Sequence, residues 1–311
     1  MPSRAEIESA AARIAGDVRR TPLWRLPGSA LGVECAEVWL KLEQLQVSGS
    51  FKARGMFNRM RALKPPPAGV IVASGGNAGI AVATAAQALG LPCEVFLPEV
   101  SSAAKRARLA ALGARVVVQG AAYADALAAC QQRQQQTGAL WMHAYDQAEV
   151  VAGAGTLALE VEQDAGALPD RVLVSVGGGG LVAGLAAWCA GRCRVEALEP
   201  ELAPTLHAAR LAGEPVDVNV SGIAADSLGA RRIGQIAWAA SASGAIQACH
   251  LLPDAAIRAA QQRAWAEWHL ALEPAAALPL AALWSGALRP AAHERVALIL
   301  CGANLDPASL V

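Results

Sequence analysis

The stretch "VLVSVGGGGLVAGLAAWCA", residues 172–190, decides how this chain is expected to fold. It begins with an apolar, β-branched run, passes through four consecutive glycines at 177–180, and continues in alanine and leucine. Four glycines let the backbone turn tightly with its N–H groups pointing inward, and the start of the following helix adds partial positive charge. The stretch therefore predicts a strand, a loop that binds an anion such as a phosphate, and a helix.

Short apolar runs of the same kind recur along the chain, and the segments between them have the alanine, leucine and glutamine content that favours helix. We predict strands at 37–43, 69–74, 93–98, 114–119, 139–145, 171–177, 194–200 and 295–302. We predict helices at 79–90, 101–112, 121–136 and 181–191. This alternation predicts an α/β protein with mostly parallel sheets flanked by helices, whose ligands lie at the carboxyl ends of strands.

Three prolines at 65–67 give the clearest boundary before residue 145, because proline breaks a helix. They suggest a small mobile domain at 69–145. The remaining residues, 1–68 and 146–311, then form a discontinuous large domain that carries the four-glycine loop.

Composition excludes several classes of protein. Hydrophobic residues make up 54% of the 311 residues, charged residues 17%, and the formal net charge is zero, so neither nucleic acid nor a membrane surface is an expected partner. No apolar run is long enough to cross a bilayer, and we expect a cytoplasmic protein. Seven cysteines without a CxxC pair suggest neither a disulfide framework nor a zinc site.

A second loop, "SGGNAG" at 74–79, also follows a predicted strand and opens a predicted helix. Its serine, asparagine and bare N–H groups suit a carboxylate or a ring hydroxyl. The four-glycine loop allows another interpretation, since Gly178, Gly180 and Ala183 fit the dinucleotide pattern GxGxxA. Glu199 lies where a ribose-binding acid would then be expected, so a nicotinamide-dependent oxidoreductase remains an alternative.

Lys52, in "SGSFKARGMF" at 48–57, is one of only four lysines in the chain. Ser50 is a candidate N-cap for the helix that follows. A lysine in the first helical turn sits at the positive end of the helix dipole, which lowers the pKa of its amine. Burial lowers the pKa of the amine as well. Both effects favour a neutral, nucleophilic amine, although Lys52 taken alone could be an ordinary surface lysine.

The order of four motifs settles the interpretation of Lys52. "SGSFKARG", "SGGNAG", "VGGGGLVAG" and the late "CGAN" (301–304) occur in the order and at roughly the separations seen in a known family. The chain resembles the pyridoxal-phosphate-dependent serine and threonine dehydratases, which are fold type II, or tryptophan-synthase-β-like, enzymes. The resemblance runs from about residue 18 to 305, and it implies two domains, each a mostly parallel sheet flanked by helices.

The resemblance implies a cofactor site for pyridoxal 5'-phosphate. Its residues would be Lys52, Phe51, Asn77, Gly177, Gly178, Gly179, Gly180, Leu181 and Cys301. Lys52 would form the Schiff base and move protons at the substrate α-carbon, while Phe51 lies against the pyridine ring. The backbone of 177–181 would hold the phosphate, Asn77 would hydrogen-bond the ring hydroxyl, and Cys301 would face the ring nitrogen.

The same resemblance implies a substrate site and a cation site. The loop Ser74, Gly75, Gly76, Asn77 and Ala78 would take the substrate carboxylate. Glu199 would bind a cation with the carbonyl of Ala203 and the hydroxyl of Thr205. Because a divalent ion usually demands more than one carboxylate, a monovalent ion such as K⁺ is expected. The alternative is that Glu199 is a strand-end residue without a metal.

The implied reaction is β-elimination from L-threonine or L-serine, giving a 2-oxo acid and ammonia. A thiol opposite the ring nitrogen is a weak donor, which favours rapid loss of a β-leaving group over transamination. The sequence offers no obvious protein acid, so the cofactor phosphate is expected to protonate the leaving hydroxyl. The family's racemases use a serine where this chain has Gly75, so little racemisation is expected.

Substrate size is left open by the segment 221–234, "SGIAADSLGARRIG", which fits the family pattern only in part. It is expected to border the site, and a bulkier substrate such as a phenylserine or a hydroxyaspartate is an alternative. A non-catalytic binding protein on the same scaffold is disfavoured because the lysine is retained. The expected assembly is a homodimer, with a monomer as the alternative.

Overall fold

The computed structural model describes residues 1–310 and contains two sheets. The larger sheet has the strand order β1-β2-β10-β7-β8-β9, and the smaller has the order β5-β4-β3-β6. The strands are β1 (Leu23–Pro27), β2 (Glu37–Lys41), β3 (Val70–Ala73), β4 (Cys93–Leu97), β5 (Arg115–Val118), β6 (Leu140–Trp141), β7 (Arg171–Ser175), β8 (Arg194–Pro200), β9 (Ala248–Leu252) and β10 (Arg295–Ile299). All neighbours pair in parallel except β1 and β2.

Helices cover the faces of both sheets, which confirms the predicted fold class. They are α1 (Arg4–Ile14), α2 (Lys52–Leu63), α3 (Asn77–Ala88), α4 (Ala103–Ala111), α5 (Tyr123–Thr137), α6 (Ala148–Ala165), α7 (Gly180–Cys189), α8 (Thr205–Ala212), α9 (Gln235–Ala242), α10 (Asp254–Trp268) and α11 (Pro274–Trp284). Short 3₁₀ turns lie at Gly28–Leu31, Glu43–Leu45 and Pro307–Leu310. Among residues 1–310, no helix combines the length and the apolar character needed to cross a bilayer.

The eight predicted strands are confirmed, but the prediction missed β1 and β9. These two strands form the edges of the larger sheet and are partly exposed, so each mixes polar and apolar residues. The inner strands β7 and β10 are almost entirely buried on both faces and therefore read as continuous apolar runs. The strand predicted at 139–145 is shorter than expected, because the chain turns after Trp141.

The helix that carries Lys52 packs with its backbone directly against α6. A Cβ added at Gly55 of α2 would lie 2.7 Å from the carbonyl oxygen of Val150, and one added at Gly153 of α6 would lie 2.5 Å from that of Arg54. Any larger residue at either position would force the two helices apart. These two glycines therefore fix the distance of α2 from the core of the larger sheet.

The helix α2 ends just before the three prolines at 65–67, as the sequence predicted. The helix ends at Leu63, and Lys64 adopts a left-handed conformation with φ 49°. The strands of the smaller sheet all lie between residues 70 and 141, within the range expected for a small domain. The division into a small domain at 69–145 and a discontinuous large domain stays a prediction, and so does the mobility of the small domain.

Candidate active site

A pocket lies where the carboxyl ends of β3, β7 and β10 approach one another, as expected for parallel sheets. Its lining residues are Phe51, Lys52, Asn77, Tyr145, Ser175, Gly177, Gly178, Gly179, Gly180, Leu181, Ser227, Leu228, Glu273, Ala275 and Cys301. Every residue predicted to bind the cofactor is among them. The structure thus brings together side chains from four motifs that are far apart in sequence.

Lys52 is the first residue of α2, and its amine points into the pocket wall. The Nζ atom donates a hydrogen bond to the carbonyl oxygen of Ala144 at 2.6 Å and lies 5.1 Å from the centre of the Phe51 ring. Burial lowers the pKa of the Lys52 amine to about 8, although Cys301 and Glu273 act in the opposite direction. The sequence predicted a lowered pKa for the Lys52 amine, and the structure agrees. An appreciable fraction of the amine is therefore neutral near pH 8.

The predicted cap of α2 is wrong. The N-cap position belongs to Phe51, which has helical backbone angles and makes no side-chain cap. Ser50 instead pairs with Gly302 in a single antiparallel bridge, and the amide of Phe51 donates to the carbonyl of Cys301 at 3.0 Å. The Lys52 helix is therefore anchored by the segment after β10, and not by a serine hydroxyl.

An ion-paired cluster surrounds Arg54, two residues after Lys52 in α2. The Arg54 guanidinium is fully buried and donates to both carboxylate oxygens of Glu43 and of Glu160 at 2.7 to 2.8 Å. Lys41 donates to Glu160 at 2.8 Å as well. The cluster connects β2, α2 and α6, and thereby holds the first turn of the Lys52 helix in place.

The four-glycine loop is closely packed, and a side chain at position 178, 179 or 180 would clash with its neighbours. A Cβ on Gly178 would lie 2.2 Å from the Tyr145 ring, and one on Gly180 would lie 2.6 Å from the Tyr145 carbonyl oxygen. Gly179 has φ +87°, a conformation that favours glycine. The loop leads straight into α7, whose first residues present N–H groups without intrahelical partners. This arrangement of free N–H groups suits the binding of a phosphate group.

Cys301 follows β10 and is buried in the pocket wall. Burial raises the pKa of its thiol well above the usual value, and the nearby Glu273 adds to the increase. The thiol is therefore neutral at physiological pH. A neutral thiol is the weak hydrogen-bond donor that the sequence predicted at this position.

Of the residues predicted to bind substrate, only Asn77 lines the pocket. Ser74, Gly75 and Gly76 form the turn between β3 and α3 next to it, and Ala78 is the second residue of α3. The turn is tight, since a Cβ on Gly79 would lie 1.8 Å from the carbonyl oxygen of Ser74. The helix α3 has a glycine at its N-cap and no side-chain cap, so its first N–H groups stay free for an anion.

Glu273 is the acidic residue that sequence reasoning missed. It is 3% exposed, lies immediately before α11, and accepts hydrogen bonds from Asn77 Nδ2 at 2.8 and 2.9 Å. Burial raises the pKa of the Glu273 carboxyl to about 7, although the hydrogen bond from Asn77 and the positive charge of the protonated Lys52 amine act in the opposite direction. The expectation that the pocket contains no obvious protein acid is therefore wrong. The only sequence signal was the pair "EP" before an alanine-rich helix.

The predicted cation residues lie behind the glycine loop and are fully buried. Glu199 accepts hydrogen bonds from the amides of Leu206 and His207 at 2.8 and 2.9 Å, and its Oε1 lies 2.9 Å from the hydroxyl of Thr205. That hydroxyl is also 2.5 Å from the carbonyl oxygen of Gly177. Three oxygens thus converge under the loop, while the carboxylate also serves the N-terminus of α8.

Glu199 has little capacity left for a ribose. In addition to these contacts, the thiol of Cys249 lies 3.3 Å from its Oε2. Burial raises the pKa of the Glu199 carboxyl, although its hydrogen bonds lower it. The oxidoreductase alternative therefore loses the acidic residue on which it depended. Within residues 1–310, no group of three or more His, Cys, Asp or Glu side chains is arranged to hold a metal ion.

The turn after β6 supports the glycine loop. The His143 ring nitrogen Nδ1 accepts from the amide of Asp146 at 3.0 Å, and the Asp146 carboxylate accepts from two amides at the start of α9. Tyr145 donates its hydroxyl to the carbonyl of Arg232 at 3.2 Å. The segment 221–234 borders the site as predicted, through Ser227 and Leu228.

Comparison with known proteins agrees with this geometry. The family model described as "Pyridoxal-phosphate dependent enzyme" matches residues 14–302, and the chain belongs to this family. Within it, the chain is a member of the fold type II group of serine and threonine dehydratases, as the sequence predicted.

Three relatives illustrate the similarity. The chain is 34% identical to phenylserine dehydratase from Ralstonia pickettii, over 99% of this chain and 95% of that protein. A solved structure of threonine deaminase, from the organism abbreviated T.th., is 33% identical and superposes with a TM-score of 0.89, covering 98% of this chain and 99% of that one. Maize serine racemase is 28% identical, with a TM-score of 0.91 and coverages of 99% and 95%.

The residues of the pocket fit pyridoxal phosphate. The buried amine of Lys52 has a lowered pKa, as a lysine that binds an aldehyde covalently requires. The glycine loop at the start of α7 suits the phosphate, and the wall between these two features carries the neutral Cys301 thiol and the Asn77 amide. Each chemical part of the cofactor therefore has a matching group in the same pocket.

Proposed function

We propose that this protein catalyses the pyridoxal-phosphate-dependent β-elimination of L-threonine or L-serine to a 2-oxo acid and ammonia. The observation that carries the proposal is the position of Lys52. Its enclosed amine shares one pocket with the glycine loop and with Cys301. The names of the threonine and phenylserine relatives support the same class of reaction.

Lys52 has two tasks in this proposal. Its amine would hold the cofactor covalently in the resting enzyme, and as a free base it would remove the proton from the substrate α-carbon. A base works best when its pKa lies near the working pH, and the pKa of about 8 for the Lys52 amine meets this requirement. When bound, the cofactor supplies an electron sink for the α-carbon.

The other residues orient the reactants. The loop amides at 177–181 would hold the phosphate, Phe51 would lie against the ring, and the N–H groups at the start of α3 would take the substrate carboxylate. The neutral thiol of Cys301 would donate only weakly to the ring nitrogen. This weak donation favours fast departure of the β-hydroxyl over transamination.

A bulkier substrate is the second candidate. Phenylserine dehydratase from Ralstonia pickettii matches almost the whole chain, which favours testing a β-aryl substrate. Leu228, from the segment that departs from the family pattern, supplies an apolar part of the pocket wall. Hydroxyaspartate stays a third option, and the expected homodimer stays a prediction.

The deciding experiment uses purified protein loaded with pyridoxal phosphate. The wild type is expected to show a visible band from lysine-bound cofactor and to release 2-oxo acid from L-threonine or L-serine. Lys52→Ala is expected to lose both, and the control Lys64→Ala, whose lysine lies outside the pocket, to keep both. If Lys52→Ala retained the band and the activity, the proposal would be wrong.

A substrate panel then separates the candidates. L-threonine, L-serine, phenylserine and 3-hydroxyaspartate are compared by kcat/KM for 2-oxo acid formation. The proposal expects L-threonine or L-serine to give the highest value. A phenylserine value tenfold above both, equivalent to about 1.4 kcal/mol of transition-state preference, would assign the second candidate instead.

A further inference from the structure

Glu273 and Asn77 join the two sheets at the pocket. Along the chain, Glu273 lies between β9 and β10, which belong to the larger sheet. Asn77 begins α3, which follows β3 of the smaller sheet. Both side chains are nearly inaccessible to solvent, with 3% and 9% exposure. The Asn77 amide nitrogen lies 2.8 and 2.9 Å from the two carboxylate oxygens of Glu273. A buried hydrogen bond therefore spans the two sheets inside the proposed cofactor site.

The orientation of the Asn77 amide is fixed from both sides. Asn304 Nδ2 donates to Asn77 Oδ1 at 2.6 Å and to the carbonyl of Ser48 at 3.0 Å. With its oxygen held by Asn304, the amide must turn its NH₂ group toward Glu273. The two N–H bonds diverge too widely for the neighbouring oxygens of one carboxylate to engage both fully. One N–H of Asn77 is therefore left for another acceptor in the pocket.

Glu273 has its own backbone anchors. Its amide donates to the carbonyl of Gly302 at 3.1 Å, and its carbonyl accepts from Ala276 and Ala277 at the start of α11. A Cβ on Gly302 would lie 2.3 Å from Glu273 Oε1, so only glycine leaves room for the carboxylate. The side chain is thus held rigidly enough to position a partner.

We propose that Glu273 is a positioning residue whose carboxylate holds the Asn77 amide in place for the cofactor, and whose protonation loosens this hold. The proposal rests on the proposed function, because Asn77 is expected to bind the cofactor ring. A hydrogen bond to an ionised carboxylate is stronger than one to a neutral carboxyl group. Loss of the charge therefore weakens both the cofactor site and the contact between the sheets.

The surroundings of Glu273 allow this change of charge near neutral pH. Burial raises the pKa of its carboxyl to about 7, while Asn77 of α3, the amide of Asn304, Lys52 of α2 and Arg108 of α4 lower it. Cys301, after β10, faces the same carboxyl as a neutral thiol. The carboxylate form therefore predominates above pH 7 and is lost as the pH falls below 7.

The test measures binding of pyridoxal phosphate to the apoenzyme from pH 6 to 8.5. Wild-type binding is expected to weaken as the pH falls through 7. Glu273→Gln is expected to bind about tenfold more weakly than the wild type at pH 8, and to lose its share of this pH dependence, because a neutral amide replaces the charged acceptor. Glu267→Gln, a surface control, is expected to follow the wild type.

A second variant, Asn77→Ala, tests the same inference if Glu273→Gln does not fold. Since Glu273 acts through Asn77, Asn77→Ala is expected to remove the same pH-dependent step, and the double variant is expected to be no weaker than Asn77→Ala alone. A wild-type pH profile in either single variant would overturn the inference. Such a result would leave the proposed function intact, because cofactor linkage to Lys52 is measured separately.

Discussion

Arg54 and Glu43 face each other as a fully buried, two-pronged ion pair, with Nε and Nη2 of the arginine each 2.8 Å from a different carboxylate oxygen. Such a pair is formed at a high desolvation cost, and removing one partner leaves the other charge without compensation. Arg54 lies two residues after Lys52 in the same helix, so loss of the pair is also expected to affect the active site.

We expect Arg54→Met to lower the free energy of unfolding by about 3–5 kcal/mol, because the buried carboxylates of Glu43 and Glu160 would lose the guanidinium that pairs with them. Arg115→Met is the matched control, since the Arg115 side chain is 68% exposed and pairs with Glu94 at the surface. Its expected cost is below about 1 kcal/mol. Urea unfolding followed by circular dichroism measures both. Equal losses in the two variants would contradict the role assigned to the cluster.

Gly180→Ala is expected to weaken binding of pyridoxal phosphate. The added Cβ would lie 2.6 Å from the backbone oxygen of Tyr145, which cannot move aside as a side chain could. Overpacking of this kind costs about 1–3 kcal/mol, equivalent to roughly 5- to 150-fold in affinity. Absorbance titration of the apoenzyme measures the change. Gly16→Ala, where a Cβ meets no atom within 4 Å, is expected to bind like the wild type.

The wild-type enzyme is expected to form little D-serine from L-serine, since Gly75 offers no proton on the second face of the substrate. A Cβ at this position would lie 2.9 Å from the end of the Leu97 side chain, which can shift. Gly75→Ser is therefore expected to fold and to gain racemisation, measured by chiral chromatography. Gly75→Ala adds the same Cβ without a hydroxyl and should gain none. Abundant D-serine from the wild type would refute the role of Gly75.

The amine of Lys52 in the apoenzyme is expected to titrate near pH 8, because burial lowers its pKa to about 8. A depressed lysine pKa means that the unfolded chain binds more protons than the folded one above pH 8. The apoenzyme should therefore gain stability as the pH rises from 8 toward the unfolded value of about 10.4. Reductive ¹³C-methylation followed by NMR should show a dimethyl-lysine signal that titrates near pH 8 and is missing in Lys52→Arg. Its presence in that variant would assign it to another amine.

Activity is expected to be higher in KCl than in tetramethylammonium chloride of equal ionic strength. A monovalent cation at Glu199, Ala203 and Thr205 would reinforce the contact between Thr205 and Gly177 that supports the glycine loop. Glu199→Gln should reduce this difference, because the cation would lose its only carboxylate. Equal rates of 2-oxo acid formation in the two salts would argue against a cation.

The sequence predicted those features of the structure that depend on neighbouring residues or on the order of motifs, and it missed those that depend on contacts between residues far apart in the chain. The inner strands were predictable because both faces are buried, whereas the polar residues of β1 and β9 hid the two edges. Lys52, the glycine loop and Cys301 were predictable from the order of motifs. The place of Glu273 in the pocket was not, because its partner Asn77 is 196 residues away and only the fold brings them together. The Ser50 cap failed for the same reason, since Gly302 pairs with its backbone.

The position of β10 has a consequence for how the protein is made. It lies between β2 and β7 in the larger sheet, although all the other strands precede it in the chain. Until residues 295–299 leave the ribosome, β2 and β7 each expose an unpaired apolar edge, which makes the nascent chain prone to aggregate. The bond between the Phe51 amide and the Cys301 carbonyl can form only afterwards. Capture of the cofactor is thus expected to be one of the last events in biosynthesis, after translation has passed the final strand.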